Sequence, residues 1–430
     1  MNIQFDLTNC DKEPIHTPGA ILPHGAMLVL DCDTYEISQA AGETSDLLGR
    51  PLDELLGQKP ETLLRPDQIS LLHELCADAP LTTPRHLLDP ILRVQPGRPV
   101  DASIHRIGDH FVLEFVPADL REGARRDAPA VLQELVDGLD QANSLQALCQ
   151  LASERVRRVT GYDRVMVYRF EPDESGWVYA ESRDPRLVSF LDLHYPAADI
   201  PSQARALYLR NWLRMIVQID YTPATLVPEI NPRTGRPLDM SYATLRDVSP
   251  VHREYLRNMG VAASMSISIV VQGRLWGLVA CHHYSPRQLP RHLRAACEIF
   301  GPIFSSQVDA RQRADDMDAH LASRGILQEI LSGLTAQADF ADGLVSVSPS
   351  LIEYIVAGGA AVSAIGRGGV ALFLNNAIRA LGRTPARELL HLWPNGSSPD
   401  WIKTACSQPI AWGSCGLRRS NSRTSPLGCW

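Results

Sequence analysis

The chain is 430 residues long, 45% hydrophobic and 21% charged, with a formal net charge of -8. That length supplies two or three cored domains. The acidic balance excludes a general binder of nucleic acid, and no apolar run reaches the roughly 18 to 20 residues of a membrane span.

The N-terminus lacks a basic region followed by an apolar stretch and a small-residue cleavage site, so the expected compartment is the cytoplasm. Cysteines stand at Cys10, Cys32, Cys76, Cys149, Cys281, Cys297, Cys406, Cys415 and Cys429, with neither zinc-ligand nor redox spacing. An odd count without a framework fits a reducing compartment. Lysine occurs only at Lys12, Lys59 and Lys403. Arginine therefore carries nearly all the positive charge, and its planar fork suits carboxylate partners.

In chain order, the leader 1–19 opens "NCDKEPIHTPGAILPHG" (9–25), where prolines keep a cysteine out of any helix. Residues 20–117 are expected to form a small α+β domain. Its strands are "AMLVLD" and "YEISQAA", its short helices "ETSDLLG" and "PLDELLG", and its hairpin "DASIHRIGDHFVLEFVP" turns at Gly108-Asp109. Phe111, Leu113 and Phe115 alternate as in a half-buried strand. The charged, apolar-poor "ADLREGARRDAPA" sets a boundary near 118–130.

A larger domain, 131–310, follows. Its opening helix is "PAVLQELVDGLDQANSLQALCQLASERVRRVTG", with Leu132, Leu135, Val136 and Leu139 at helical spacing and Gly161 as the stop signal. "RVMVYRF" is a strand, and "SMSISIVVQGRLWGLVACHHY" is a strand pair turning at Gln272-Gly273. Period-two alternation puts Ser264, Ser266 and Ser268 on one face and Met265, Ile267 and Ile269 on the other. His282 and His283 likewise fall on opposite faces, so one of them can enter a shared pocket.

Residues 291–334 read as a helix with Pro302 inside it and a seam at Leu321, Leu327, Ile330 and Leu334 for pairing with a second copy. Another α+β unit begins beyond 335, with turns at Gly358-Gly359 and Gly366 to Gly369. The stretch 394–430 shows no apolar period.

Chemistry concentrates in "DLHYPAADIPSQARALYLRNWLR" (192–214), "LRDVSPVHREYLRNMG" (245–260), the serine strand and "ACHHY" (280–284). Arginines four apart on a helix are ordinarily a solvated face, and a histidine beside apolar strands is ordinarily a satisfied core group. Alternating hydroxyls on a strand mean either a solvent face or a polar-lined cavity. There is no Gly-x-Ser-x-Gly, no Gly-x-x-x-x-Gly-Lys and no His-Glu-x-x-His, and adjacent histidines on a strand chelate poorly. The pattern favours binding over turnover, and the chain is not expected to be an enzyme.

"NCDKEPIHTPGAILPHG", "YPAADIPSQARALY", "SPVHREYLRNMG" and "LWGLVACHH" closely resemble signature segments of bacteriophytochromes, red and far-red photoreceptors that carry biliverdin. The resemblance runs in order over residues 1–320, beyond which the chain is truncated or divergent. It implies an α+β fold of antiparallel sheets flanked by helices. The leader 1–19 carries the attachment cysteine, 20–117 is a PAS domain, and 131–310 is a GAF chromophore-binding domain. Residues 311–393 are a connecting helix and partial GAF-like PHY domain, and 394–430 an atypical tail. A knot would join PAS and GAF, the leader passing through a loop near "PEINPRTGRPLDMSY" with Ile21 at the crossing.

The resemblance also implies roles. Cys10 forms a thioether with the ring A vinyl side chain of biliverdin. Arg246 and Arg214 bind the ring B propionate with Tyr208 nearby, while Ser249, His252, Ser264 and Ser266 serve the ring C propionate. Asp199, followed by Ile200 and Pro201, offers its backbone carbonyl to the pyrrole nitrogens of rings A to C, and His252 meets ring C through a shared water. His282 donates to the ring D carbonyl, and Tyr168, Tyr195 and Tyr255 form the cavity where ring D turns after photoisomerisation at C15=C16.

Expected partners are a second copy in a homodimer and a response regulator or other effector, with no nucleic acid or membrane. Two alternatives stand beside this reading: a sensor histidine kinase lacking its catalytic part, and a GAF-type sensor of a small ligand other than light. Ala198 replaces a serine often found there in the family, and no Pro-Arg-x-Ser-Phe tongue segment occurs after residue 320, although "ALGRTPARELLHLW" is family-like.

Overall fold

In the computed structural model, which describes residues 10–77, 85–86, 92–95, 98–118, 127–335, 359–364 and 370–375, the chain divides into two units, 1–315 and 316–430. The first strand of the first unit is the short β1 (Ala20–Ile21). An antiparallel sheet follows, made of β2 (Ala26–Asp31), β3 (Ile37–Gly42), β4 (Arg85–His86), β5 (Leu92–Gln95), β6 (Arg98–Ile107) and β7 (His110–Pro117). Its order is β3-β2-β7-β6-β4, with β5 also paired to β6.

Helices α1 (Thr44–Leu48), α2 (Leu52–Leu55) and α3 (Pro66–Ala77) bury Leu47, Leu48, Leu55 and Leu72 against Leu28, Leu113 and Phe115 of this sheet. The strands, short helices and Gly108-Asp109 turn lie where local pattern placed them. The expected half-burial of β7 does not hold: His110 through Val116 are all buried. Val112 and Val116, on the face that alternation assigns to solvent, pack against Leu238, Met240, Ala243 and Leu245 of the second domain.

The second sheet contains β8 (Arg164–Phe170), β9 (Gly176–Arg183), β10 (His194–Tyr195) and β11 (Leu213–Ile216). The short β12 (Ala224–Thr225) lies outside it, and β13 (Ala263–Val271) and β14 (Arg274–His283) complete it. The order is β10-β9-β8-β14-β13-β11. Five helices accompany it: α4 (Ala128–Val136), α5 (Leu145–Thr160), α6 (Ser202–Arg210), α7 (Pro250–Asn258) and α8 (Arg291–Thr335).

Helices α4, α5 and the start of α8 cover the apolar face, joining Leu135, Leu148, Val156, Phe300 and Phe304 to Met265, Ile267, Ile269 and Val279. The single opening helix expected from 129 to 161 is instead α4, a 3-10 turn at Leu139–Gln141 and α5. Gly138 takes the left-handed conformation at φ 76, and the Ser144 hydroxyl accepts from the Ala147 N–H at 3.1 Å to start α5 afresh. Leu139 stays buried across the break, so the apolar spacing survived while the helix did not. The β13–β14 turn has Gln272 at φ 51 and Gly273 at φ 75, the paired left-handed residues of a two-residue hairpin.

The leader lies between two arms of one loop. On one edge, Ala20 and Ile21 of β1 pair with Thr225 and Ala224 of β12. On the other, Ile21 bridges Arg246, the Leu22 N–H donates to Leu245 O at 2.8 Å, and the Asp247 N–H donates to Ala20 O at 3.1 Å. The Met240 N–H closes the loop onto His16 O at 2.7 Å. Ile21 is fully buried at the crossing position expected for it.

In the second unit, the rest of α8 is followed by β15 (Gly359–Ala364) and β16 (Val370–Asn375), antiparallel with Ala364 opposite Val370. The expected turn at Gly366 to Gly369 and the 394–430 tail fall outside the described residues. Among the described residues no helix is long and apolar enough to cross a membrane.

Candidate functional site

Register builds the polar face of the second sheet. Ser266 lies opposite Arg214 on β11 and Ala280 on β14, while Ser264 lies opposite Ile216 and His282. Beyond them on β8, Met166 faces Ala280 and Arg164 faces His282. Directly opposed residues project to the same side. Arg214, Ser264, Ser266, His282 and Tyr168 therefore share the face opposite the helix-covered core. His283 points away, 2.7 Å from Asp163 and edge-on to Tyr162, so His282 is the member of the pair on the site face.

An aromatic and aliphatic cluster walls this face: Met166, Tyr168, Val178 and Leu278 are buried, with Phe190, Tyr195, Ile200 and Tyr208 packed against them. Tyr168 and Tyr195 have ring centroids 6.0 Å apart. Asp199 ends a 3-10 turn, and Pro201 starts α6, its carbonyl accepting from the Ala204 and Arg205 N–H groups at 3.0 and 3.1 Å. The Tyr255 hydroxyl donates to the Asp199 carboxylate, whose pKa burial nevertheless raises. Tyr255 stacks on His252 at 6.3 Å. Ser268, the third serine of the strand, donates to Tyr208 O at 2.7 Å and so ties α6 to the sheet.

Two arginines are buried beside this cluster, each 8% exposed. Arg214 donates to Thr244 O at 2.6 Å and to Arg246 O; Arg246 reaches Met240 O and Ser241 O at 3.4 and 3.5 Å. Among the described residues neither forms an ion pair with a carboxylate. Burial, and then the Arg214 charge, pull the Arg246 pKa down to about 9. Desolvating two like charges side by side is costly without a counter-anion.

The two histidines are held neutral. Burial and then Arg214 lower His252 to about 4, and burial followed by Arg164 and His252 lowers His282 to about 3. A neutral imidazole donates from one ring nitrogen and accepts at the other.

Ser249, at the start of α7, donates to Glu13 Oε2 at 2.5 Å, so its hydroxyl faces the leader. Cys10 opens the 3-10 turn Cys10–Lys12, directly before Glu13, while its side chain lies outside the described residues. Sequence reasoning missed Glu13, the buried Arg164–Glu181 ion pair and Gly176. Arg164 also lies 3.7 Å above the Phe190 ring. A Cβ on Gly176 would overlap the Tyr168 hydroxyl, so Tyr168 keeps its place in the wall only over a glycine at this strand end. Glu181 could have been found as the acidic residue alternating within "GWVYAESR".

An apolar, aromatic-walled sheet face with buried cations, in a domain that encloses the leader of its neighbour, is the candidate ligand site of a two-domain module. Residues 10–118 match the PAS fold family and residues 144–308 the GAF domain family. The chromophore-binding domain of an unusual bacteriophytochrome from R. palustris superposes with a TM-score of 0.61 at 38% identity, covering 71% of this chain and 99% of that one. Cyanobacterial phytochrome B of Nostoc sp. is 39% identical over 361 residues, 84% of this chain and 48% of the relative. A bacteriophytochrome of Pseudomonas aeruginosa is 37% identical over 417 residues, 92% and 54% respectively. The chain belongs to the bacteriophytochrome family, within the phytochromes. It spans about half the length of these curated relatives.

Proposed function

We propose that the chain is the light-sensing part of a red/far-red photoreceptor that holds biliverdin on the polar face of the GAF sheet and bonds it covalently at Cys10. The observation that carries this reading is the buried Arg214–Arg246 pair, whose acceptors among the described residues are backbone carbonyls and not carboxylates. A ligand with two carboxylates on a flat apolar body fits such a site: the acids neutralise the arginines and the body fills the aromatic cluster.

When bound, the bilin supplies red-light absorption and isomerisation at its C15=C16 bridge. The residues of the chain hold and orient it. Arg214, Arg246 and Tyr208 bind one propionate, and Ser264, Ser266 and His252 the other. Asp199 offers its carbonyl oxygen to the pyrrole N–H groups, and Ile200 packs beneath. Neutral His282 keeps a proton on one ring nitrogen for the ring D carbonyl, while Tyr168, Tyr195 and Tyr255 exclude water around that end. The Glu13–Ser249 bond fastens the leader beside α7 and so brings the Cys10 segment to the site. The thiolate is the nucleophile there, which requires access and not burial.

The reading extends to a cytoplasmic, non-enzymatic sensor. It pairs with a second copy through α8, where Leu321 and Leu327 of the expected seam are exposed while Ile330 is buried, and signals to a response regulator or other effector. The test is to add biliverdin to the purified chain. We expect a red absorption band, a difference spectrum after red illumination, and zinc-induced fluorescence on a denaturing gel that Cys10→Ser abolishes. Absence of any red band overturns the reading; survival of the fluorescence in Cys10→Ser moves the attachment to another cysteine.

A further inference from the structure

We propose that Glu114, supplied by the PAS domain, is the positioning residue that sets the arginine pair of the GAF domain to receive the ligand's carboxylates. The proposal rests on the bilin reading above. Glu114 lies on β7, on the face whose other members, Val112 and Val116, pack into the interdomain apolar cluster. Only 2% of it is exposed. A carboxylate in such surroundings is costly unless its oxygens are hydrogen-bonded.

Its partners are all on one loop of the GAF domain. Oε2 accepts from the Thr244 N–H at 3.0 Å and Oε1 from the Leu245 N–H at 2.6 Å, with the Thr244 hydroxyl as a third donor. The Leu245 N–H and the Thr244 carbonyl belong to one peptide group. That carbonyl accepts from Arg214 Nη1 at 2.6 Å. Because a trans peptide is planar with its N–H and C=O opposed, a carboxylate and a guanidinium are held on opposite sides of a single rigid unit, and each polarises the bond the other makes. The carbonyl two residues on, that of Arg246, accepts from Arg214 Nη2. Displacing this peptide therefore shifts Arg214 directly and Arg246 through its own backbone. The leader locks the same segment, since Leu22 donates to Leu245 O at 2.8 Å. His105, the nearest basic side chain at 3.8 Å, is neutral by burial and supplies no competing counter-charge.

Glu114→Gln keeps the shape but turns an amide N–H toward a backbone N–H. The experiment measures dissociation constants for biliverdin and for its dimethyl ester, which lacks the carboxylate charges, with wild-type and variant residue 114 both carried in a Cys10→Ser background so that binding stays reversible. Hydrogen exchange at residues 244–247 is followed in the ligand-free proteins.

Wild type should prefer the free acid by about tenfold or more, and Glu114→Gln should reduce that preference to about threefold or less while leaving ester affinity nearly unchanged. Exchange at Leu245 should rise in the variant. A residue that only stabilises the fold would weaken both ligands alike, and that outcome, or unchanged selectivity, overturns the proposal. Should Glu114→Gln not fold, Glu114→Asp, which keeps the charge but withdraws the oxygens, is measured instead and must also lose selectivity. Failure of wild type to bind biliverdin overturns both readings, whereas binding with unaltered selectivity in the variants removes only the role of Glu114.

Discussion

Arg246 is a cation the fold tolerates and a ligand would reward, so its removal should act in opposite directions on the two states. Arg246→Met relieves the Arg214 repulsion and should stabilise the ligand-free protein by about 1 kcal/mol or more. It should also weaken biliverdin binding by about tenfold to a hundredfold. Thermal melts of the ligand-free variant, and titrations with biliverdin in a Cys10→Ser background where binding is reversible, check both signs; destabilisation together with unchanged binding would contradict the assignment.

Four buried or half-buried histidines give a pH dependence. His24, His105 and His252 are lowered to about 4 and His282 to about 3 from the ordinary 6.5, each chiefly by burial. Between those values the unfolded chain binds protons that the folded chain refuses. Stability is therefore full above 6.5 and is lost as pH falls toward 4. The Tm of the ligand-free protein should drop between pH 7 and pH 5, and His105→Leu should flatten that drop.

Elements differ in how far their own residues dictate them. The β13–β14 hairpin was legible because Gln272-Gly273 and the serine alternation are local signals. Gly273 has φ 75 and nothing within 4 Å of where a Cβ would stand. Gly273→Ala should thus cost about 1 kcal/mol from backbone strain alone, without disturbing any contact. A denaturant melt measures it, and a loss several times larger would mean the turn packs against something. The break between α4 and α5 was not legible. Leu139 keeps the helical apolar spacing while Gly138 and Ser144 interrupt the backbone, and period alone cannot tell a broken helix from a continuous one.

The first unit owes its coherence to a shared apolar cluster. Ile21, Leu22, Met27 and Val29 from the leader and PAS domain interlock with Ile216, Leu226, Leu238 and Val261 from the GAF domain. Two domains that share a core should unfold together. Residues 1–315 should melt in one cooperative transition, and Ile21→Ala should lower that whole transition by about 2 to 5 kcal/mol. Two separated transitions in calorimetry, with Ile21→Ala moving only one, would refute the coupling.

By itself the sequence determined β2, β3, β8 and the β6–β7 and β13–β14 hairpins with their turns, the division of the serines and of His282 from His283, and the motifs that mark the family, because alternation and turn chemistry act between near neighbours; β9 and β11 it did not mark. Tertiary structure alone decided that β7 is buried on both faces, that Ser249 meets Glu13 and that Glu114 meets Leu245. Those contacts join residues far apart in the chain, and a charge's partner across such a distance is set by how the domains pack, which no local period encodes.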